Sequence, residues 1–213
     1  MSAEITSINY CPVKSVSFQS IKNCKIQKNI GIIGDRIFAF AKGLDQDQVK
    51  LFEKNPDERQ GKWNKVLTLK NSPPLNKYNF QFENEKLIFS IKNKEILTID
   101  IDQFSERERL SNKISELESS LEQPIVLMKN DAFPFFDTSI SNKVDFVNSI
   151  SLLNIQSIND FQNKIEKKIE SSIFRGNLCV DGIEPWKERE WIGKIIKINN
   201  VLFKVEKNIP RCV

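Results

Sequence analysis

The chain is 213 residues long, enough to bury a core as one large domain or as two small ones. It has no histidine, which excludes Ser-His and Cys-His nucleophile pairs, an H-E-x-x-H zinc site and imidazole general bases. The formal charge of +4, from 32 Lys and Arg against 28 Asp and Glu, is mild and scattered, so no nucleic acid is expected as a partner.

No apolar run approaches the roughly 20 residues of a spanning helix, and the first residues lack the pattern of a signal peptide. No membrane is expected, and the expected compartment is the cytoplasm. The four cysteines, Cys11, Cys24, Cys179 and Cys212, are widely spaced and form no C-x-x-C pair. That argues against a zinc ribbon or a dithiol redox motif and suits a reducing environment.

Residues 3 to 103 read mainly as strands. Ile37, Ala39 and Ala41 alternate with Phe38 and Phe40, as in a strand buried on both faces. Tyr78, Phe80 and Phe82, then Leu87, Phe89 and Ile91, flank Asn84-Glu85 as a hairpin does. Between these, Lys50 to Asn64 and Asn71 to Asn76 read as loops because of Pro56, Gly61 and Pro73-Pro74. A helix is predicted next, with Ser105 and Glu108 as a capping box, an apolar stripe of Leu110, Ile114, Leu117 and Leu121, and Pro124 as its stop.

Ser157 and Asp160 mark the start of a second helix, with Ile158, Phe161, Ile165 and Ile169 on one face. Strands follow at Leu178 to Val180, Lys194 to Ile198 and Val201 to Val205, the last two joined by a tight Asn199-Asn200 turn. Cys11, Cys24 and Cys179 sit in or beside strand patterns, where cysteine acts as a small hydrophobe.

Cys212 differs, because Arg211 beside it favours the thiolate, which is both nucleophile and soft metal ligand. Upstream, Pro12-Val13-Lys14-Ser15, Gly34-Asp35-Arg36 and Phe174-Arg175-Gly176-Asn177 supply cations and hydroxyl or amide donors suited to an anionic ligand. Arg is the side chain that offers a planar fork to phosphate. Arg36 also has a plainer reading as the ion-pair partner of Asp35, and Ser151 as the cap of the second helix.

Read together and in order, these segments resemble the MOSC superfamily, named for the C-terminal domain of molybdenum cofactor sulfurases. Tyr10-Cys11-Pro12-Val13-Lys14-Ser15 resembles its Y-P-V-K-S start, and Gly31-Ile32-Ile33-Gly34-Asp35-Arg36 its G-L-x-G-D-R. Phe136-Asp137-Thr138, Ser151-Leu152, Phe174-Arg175-Gly176-Asn177, Trp191-Ile192-Gly193 and Pro210-Arg211-Cys212 resemble later stations. The layout is most similar to the mitochondrial amidoxime-reducing proteins and their bacterial relatives.

The resemblance implies a mainly β chain with some α (α+β). A small N-terminal β-barrel over residues 1–103 would be followed by a helical connection and a MOSC-type β-barrel with flanking helices over 104–213. In the family a further segment follows the Arg-Cys, whereas this sequence ends at Val213, so an incomplete C-terminus is expected. The implied cofactor is the molybdenum cofactor (molybdopterin), with Cys212 as catalytic residue and metal ligand. Lys14, Ser15, Arg36, Thr138, Ser139, Ser151, Arg175 and Asn177 are the implied cofactor-binding residues.

The implied activity is reduction of a small N-hydroxylated substrate. Electrons would come from a separate electron-donor protein, because this chain has no cysteine cluster for iron and sulfur, no haem histidine and no G-x-G-x-x-G loop. Two alternatives stay open: a non-catalytic carrier of the cofactor or of sulfur, and a cofactor-free β-barrel binding protein. Two departures from the family pattern stand out. Gly176 lies where proline is common, and Phe52-Glu53-Lys54-Asn55-Pro56 replaces a T-Q-R-like segment.

Overall fold

The computed structural model describes residues 3–16, 18–59, 61–136 and 149–209. Strands β1 (Glu4–Tyr10), β2 (Gln19–Ile21), β3 (Ile26–Gln27), β4 (Gly31–Ile32) and β5 (Phe38–Lys42) precede helix α1 (Gln46–Lys54). Next come β6 (Tyr78–Glu83), β7 (Lys86–Ile91), β8 (Lys94–Asp100), α2 (Phe104–Leu117) and β9 (Ile125–Lys129). The last elements are β10 (Leu152–Asn154), α3 (Ile155–Ile165), β11 (Leu178–Asp181), β12 (Ile195–Ile198) and β13 (Val201–Lys204). The fold is therefore mixed α and β, and none of its sheets closes into a barrel among the described residues.

The chain divides into two compact units that are not consecutive in sequence. One comprises Met1–Asn9, Ser20–Cys24 and Ile150–Val213, the other Tyr10–Gln19 and Lys25–Ser149. The larger unit is built on the antiparallel sheet β6-β7-β8 and the antiparallel pair β5-β9. The β6–β7 hairpin forms in the expected register, Phe80 opposite Phe89 and Glu83 opposite Lys86. Asn84 and Glu85 both take positive φ, as a twisted two-residue turn requires.

The alternation of β5 divides its neighbours. Phe38 and Phe40 enter a cluster with Phe80, Phe89, Leu87, Ile99, Leu110 and Ile114, whereas Ala39 and Ala41 face a second cluster with Val49, Phe52, Met128 and Phe135. Small side chains on that second face leave room for α1, and both faces are buried as the sequence predicts. Phe80 stacks on Phe89 with ring centroids 5.0 Å apart, and Tyr78 meets Phe89 edge-on at 5.2 Å.

Helix α1 corrects the loop expected from Lys50 onward. Asp45 accepts from the Gln48 amide at 2.8 Å while the Gln48 side chain accepts from the Asp45 amide at 3.1 Å. This reciprocal cap fixes the start, and burial of Val49 and Phe52 fixes the face. The polar exposed face masked the period in the sequence. The capping box expected at Ser105 does not form, because α2 begins at Phe104 behind Gln103, which makes no side-chain cap. The expected stripe still holds where it matters, with Leu110 and Ile114 buried.

The Tyr78 hydroxyl donates to the buried Glu118 carboxylate, which Lys77 also reaches at 2.7 Å. Burial first, and then the Glu118 hydrogen bond, push the Tyr78 phenol above its ordinary value of 10.0. A raised folded-state pKa means that the folded chain holds this proton longer than the unfolded one. The contribution is thus complete below pH 10 and is lost as pH rises beyond it. Tyr78→Phe is expected to flatten the alkaline fall in stability, checked by urea midpoints measured on either side of pH 10.

The smaller unit is a four-stranded sheet in the order β10-β11-β1-β2. Strand β1 runs antiparallel to β11 from Glu4 opposite Asp181 to Ile8 opposite Leu178, and β10 runs parallel to β11 with Leu153 opposite Cys179. Helix α3 starts earlier than the sequence signals. Asn154, not Ser157 or Asp160, is the cap, its side chain accepting from the Gln156 amide at 3.1 Å.

Ser157 and Asp160 instead tether residues 184–191. Ser157 Oγ donates to Glu188 at 2.7 Å and accepts from the Trp186 amide at 2.8 Å, and Asp160 accepts from the Trp186 indole at 2.5 Å. Arg189 and Lys164 lie over the same indole, so Trp186 serves packing. The β12–β13 hairpin forms with Ile198 opposite Val201. No helix among the described residues is long and apolar enough to cross a membrane.

Candidate cofactor site

In the larger unit the segments carrying Lys14, Ser15 and Arg36 are laced together by their backbones. Lys14 N donates to Phe38 O at 2.8 Å, Phe38 N to Pro12 O at 3.0 Å, and Arg36 N to Cys11 O at 2.7 Å. Ser15 and Arg36 both take left-handed backbone conformations, with φ of 65° and 55°. Such angles in non-glycine residues cost about 1 to 3 kcal/mol each and persist where the surroundings over-determine them, often at functional sites. The Lys14 side chain is only 6% exposed, and its ammonium lies 4.9 Å from the Trp63 ring centroid. The sequence thus brings a buried cation, a hydroxyl in a left-handed turn and a guanidinium into one short ladder.

The ion pair expected of Arg36, with Asp35, forms. The Arg36 guanidinium also lies 5.0 Å over Phe136. Asp35, 1% exposed, accepts from the Cys11 amide at 2.8 Å through its other oxygen. One buried carboxylate therefore ties the Tyr10-to-Ser15 segment to the turn that carries Arg36. The sequence pointed to Asp35 only as an ion-pair partner of Arg36, and the signal that could have found its clamping role is the acid in a Gly-Asp-Arg turn.

In the smaller unit Ser151 and Asn177 are joined to each other. Ser151 Oγ donates to Asn177 Oδ1 at 2.8 Å, and the Asn177 amide returns to Ser151 Oγ at 2.9 Å. Asn177 Nδ2 donates to Asn9 O at 3.1 Å, and Asn9 N donates to Asn177 O at 2.7 Å. The pair locks the edge of β10 to β1 across β11. Ser151 does not cap α3, whose cap is Asn154. Arg175 closes a short 3-10 turn in a left-handed conformation, φ 51°, its amide bonded to Ser172 O at 3.0 Å. Three implied cofactor residues, Ser15, Arg36 and Arg175, thus share this uncommon backbone state.

Gly176, where the family often has proline, is set by close packing. A Cβ there would stand 2.7 Å from Leu153 Cβ. Gly176→Ala must push β10 away from β11 and is expected to destabilise by about 2 kcal/mol, the range of an overpacked core, as read from urea unfolding. Asn9 and Gly176 are contributors that sequence reasoning did not assign.

Cys212, Thr138 and Ser139 lie outside the described residues. Among the described residues no group of three or more His, Cys, Asp or Glu side chains is placed to hold a metal. Cys11 and Cys179 are buried and Cys24 is half-buried, its thiol pushed up by burial. That is the opposite of what a reactive thiolate needs.

Residues 142–213 match the family model of the MOSC domain. Over that stretch the chain is similar to the MOSC domain. The matched stretch contains Ser151, Arg175, Asn177 and Cys212, and it does not reach Lys14, Ser15 or Arg36. No curated protein matches the chain. The MOSC domain is associated with binding of the molybdenum cofactor, in keeping with the donor types found here.

Proposed function

We propose that this chain binds the molybdenum cofactor and reduces N-hydroxylated compounds with electrons from a separate protein. The observation that carries the reading is the MOSC match over residues 142–213, a stretch that includes Cys212. The residues of the larger unit fit an anionic cofactor. Lys14 is nearly buried, Ser15 and Arg36 are held in left-handed turns, and their backbones are pinned by hydrogen bonds rather than left to rearrange on binding. Fixed cations on a rigid frame are what a phosphate group selects.

In this reading Cys212 supplies the thiolate ligand to molybdenum, and Arg211 keeps that sulfur ionised. Lys14 and Arg36 neutralise the phosphate, Ser15 and Thr138 with Ser139 add hydroxyl donors, and Arg175 adds a second guanidinium. Ser151 and Asn177 act chiefly on each other, so their part is to hold the backbone around Arg175. The cofactor, when bound, supplies a two-electron centre at which oxygen leaves an N-hydroxylated nitrogen. Two electrons and two protons then account for amine and water. The chain orients the cofactor and sets its charge environment.

The test is molybdenum content of protein produced with an intact cofactor pathway, followed by reduction of a hydroxylamine or amidoxime with a chemical electron donor. Stoichiometric molybdenum with turnover supports the whole reading. Molybdenum without turnover leaves the carrier reading, and protein with neither refutes the proposal.

A further inference from the structure

The larger unit also contains a buried guanidinium that neither the sequence reading nor the cofactor reading uses. Arg59 is 1% exposed. Its Nε donates to Phe52 O at 2.8 Å, and Nη1 donates to Phe133 O at 2.8 Å and Pro134 O at 3.3 Å. The guanidinium lies 4.0 Å over the Phe135 ring. Nη2, fully buried, has no hydrogen-bond partner, and neither does the buried indole Nε1 of Trp63.

These orphan donors belong to one neighbourhood. Trp63 packs on the cluster that contains Phe52 and Phe135, both of which Arg59 touches, and the Lys14 ammonium lies over its ring. Phe135 N in turn donates to Arg36 O at 2.8 Å, which ties this region to the turn carrying Arg36. Burial lowers the Arg59 pKa to about 10, so it is cationic at neutral pH. The Glu53 carboxylate acts on Arg59 only through space, while its own ion pair is with Arg107 at 3.2 Å.

Buried charges are normally paired, and buried donors normally have acceptors. Here the guanidinium is bonded only to neutral carbonyls, and each orphan is a donor. A bound group that accepts from both and carries negative charge satisfies the set, which a water molecule, being neutral, does only in part. We propose that Arg59 Nη2 and Trp63 Nε1, with Lys14 at their edge, form a binding site for a phosphate-type oxyanion. Gly61, between the turns of Arg59 and Trp63, has φ 71° and nothing within 4 Å of where a Cβ would stand. The phosphate can be free in solution or can belong to a bound cofactor, and the site stands whichever source supplies it.

The test uses the three indole N–H resonances of the ¹⁵N-labelled full chain, with Trp63→Phe identifying one of them. Inorganic phosphate is titrated at constant ionic strength against chloride. The Trp63 resonance is expected to move downfield and saturate while those of Trp186 and Trp191 stay. Arg59→Lys, which keeps a charge but loses the fork, is expected to weaken binding by about tenfold or more. A Trp63 resonance that does not respond, responds equally to chloride, or responds unchanged in Arg59→Lys overturns the proposal.

Should Arg59→Lys fail to fold, thermal unfolding replaces that comparison. Phosphate is expected to raise the midpoint of the parent chain and not of Trp63→Phe, and equal rises refute the site. Protein loaded with the molybdenum cofactor distinguishes the sources. A Trp63 resonance already at its saturated position assigns the phosphate to the cofactor, and one that still titrates assigns it to free phosphate. The cofactor reading is judged separately, by molybdenum content, so either can fail without the other.

Discussion

Cys212→Ser is expected to abolish molybdenum retention while leaving the fold intact. A serine oxygen has neither the softness nor the low pKa of a thiolate beside Arg211, so it does not hold a soft-ligand metal at neutral pH. The measurement is metal content per chain, by elemental mass spectrometry, for parent and variant prepared side by side. A fall from near one to below about a tenth changes the bound-to-free ratio roughly a hundredfold, a loss of about 2.7 kcal/mol or more in metal affinity. Equal molybdenum in both proteins would show that Cys212 is not the ligand. An unchanged thermal midpoint distinguishes loss of the ligand from loss of the fold.

Asp35→Ala is expected to cost about 3 kcal/mol of stability, the range for removing one partner of a buried charge pair. It takes away the acceptor of the Cys11 amide and the counter-charge of Arg36 in one step. The strained conformations of Ser15 and Arg36 lean on the same ladder, so the loss is not confined to one bond. Asp35→Asn keeps an acceptor but no charge, and it is expected to lose roughly half as much. Urea midpoints for the three proteins check the order. A midpoint unchanged in the alanine variant would mean that Asp35 does not clamp the two segments.

In the cofactor reading the Asp35 variants carry a second signature. Asp35→Asn is expected to lower cofactor affinity more than stability, because Arg36 swings free of its guide while the core remains. Phosphate binding at Arg59 and Trp63, followed through the Trp63 indole, provides an independent readout of the same unit. A variant that loses cofactor but keeps this response has been damaged locally.

Much of the fold was legible where side-chain periodicity speaks for itself. The β6–β7 hairpin, both buried faces of β5, the Leu110–Ile114 stripe of α2 and the β12–β13 hairpin all follow from alternation, helical spacing and turn residues. The helix starts were less legible. Ser105, Ser157 and Asp160 have the chemistry of caps, yet Gln103 and Asn154 occupy the cap positions. A cap is decided by where the chain leaves its preceding strand or turn, which a local string does not state. Helix α1 was missed because only Val49 and Phe52 carry its buried face.

Read alone, the sequence establishes the chemistry available to this protein: no imidazole, one cysteine beside an arginine, and cations in a few short segments. Which of these groups meet is a matter of the three-dimensional fold. It set Asp35 between Cys11 and Arg36, turned Ser151 and Asn177 onto each other, made Gly176 a packing requirement, and buried Arg59 with a donor unused. The physical reason is range. Periodicity and turn preferences act over a few neighbouring residues, whereas hydrogen-bond satisfaction and close packing depend on residues far apart in the chain, as between Asn9 and Asn177.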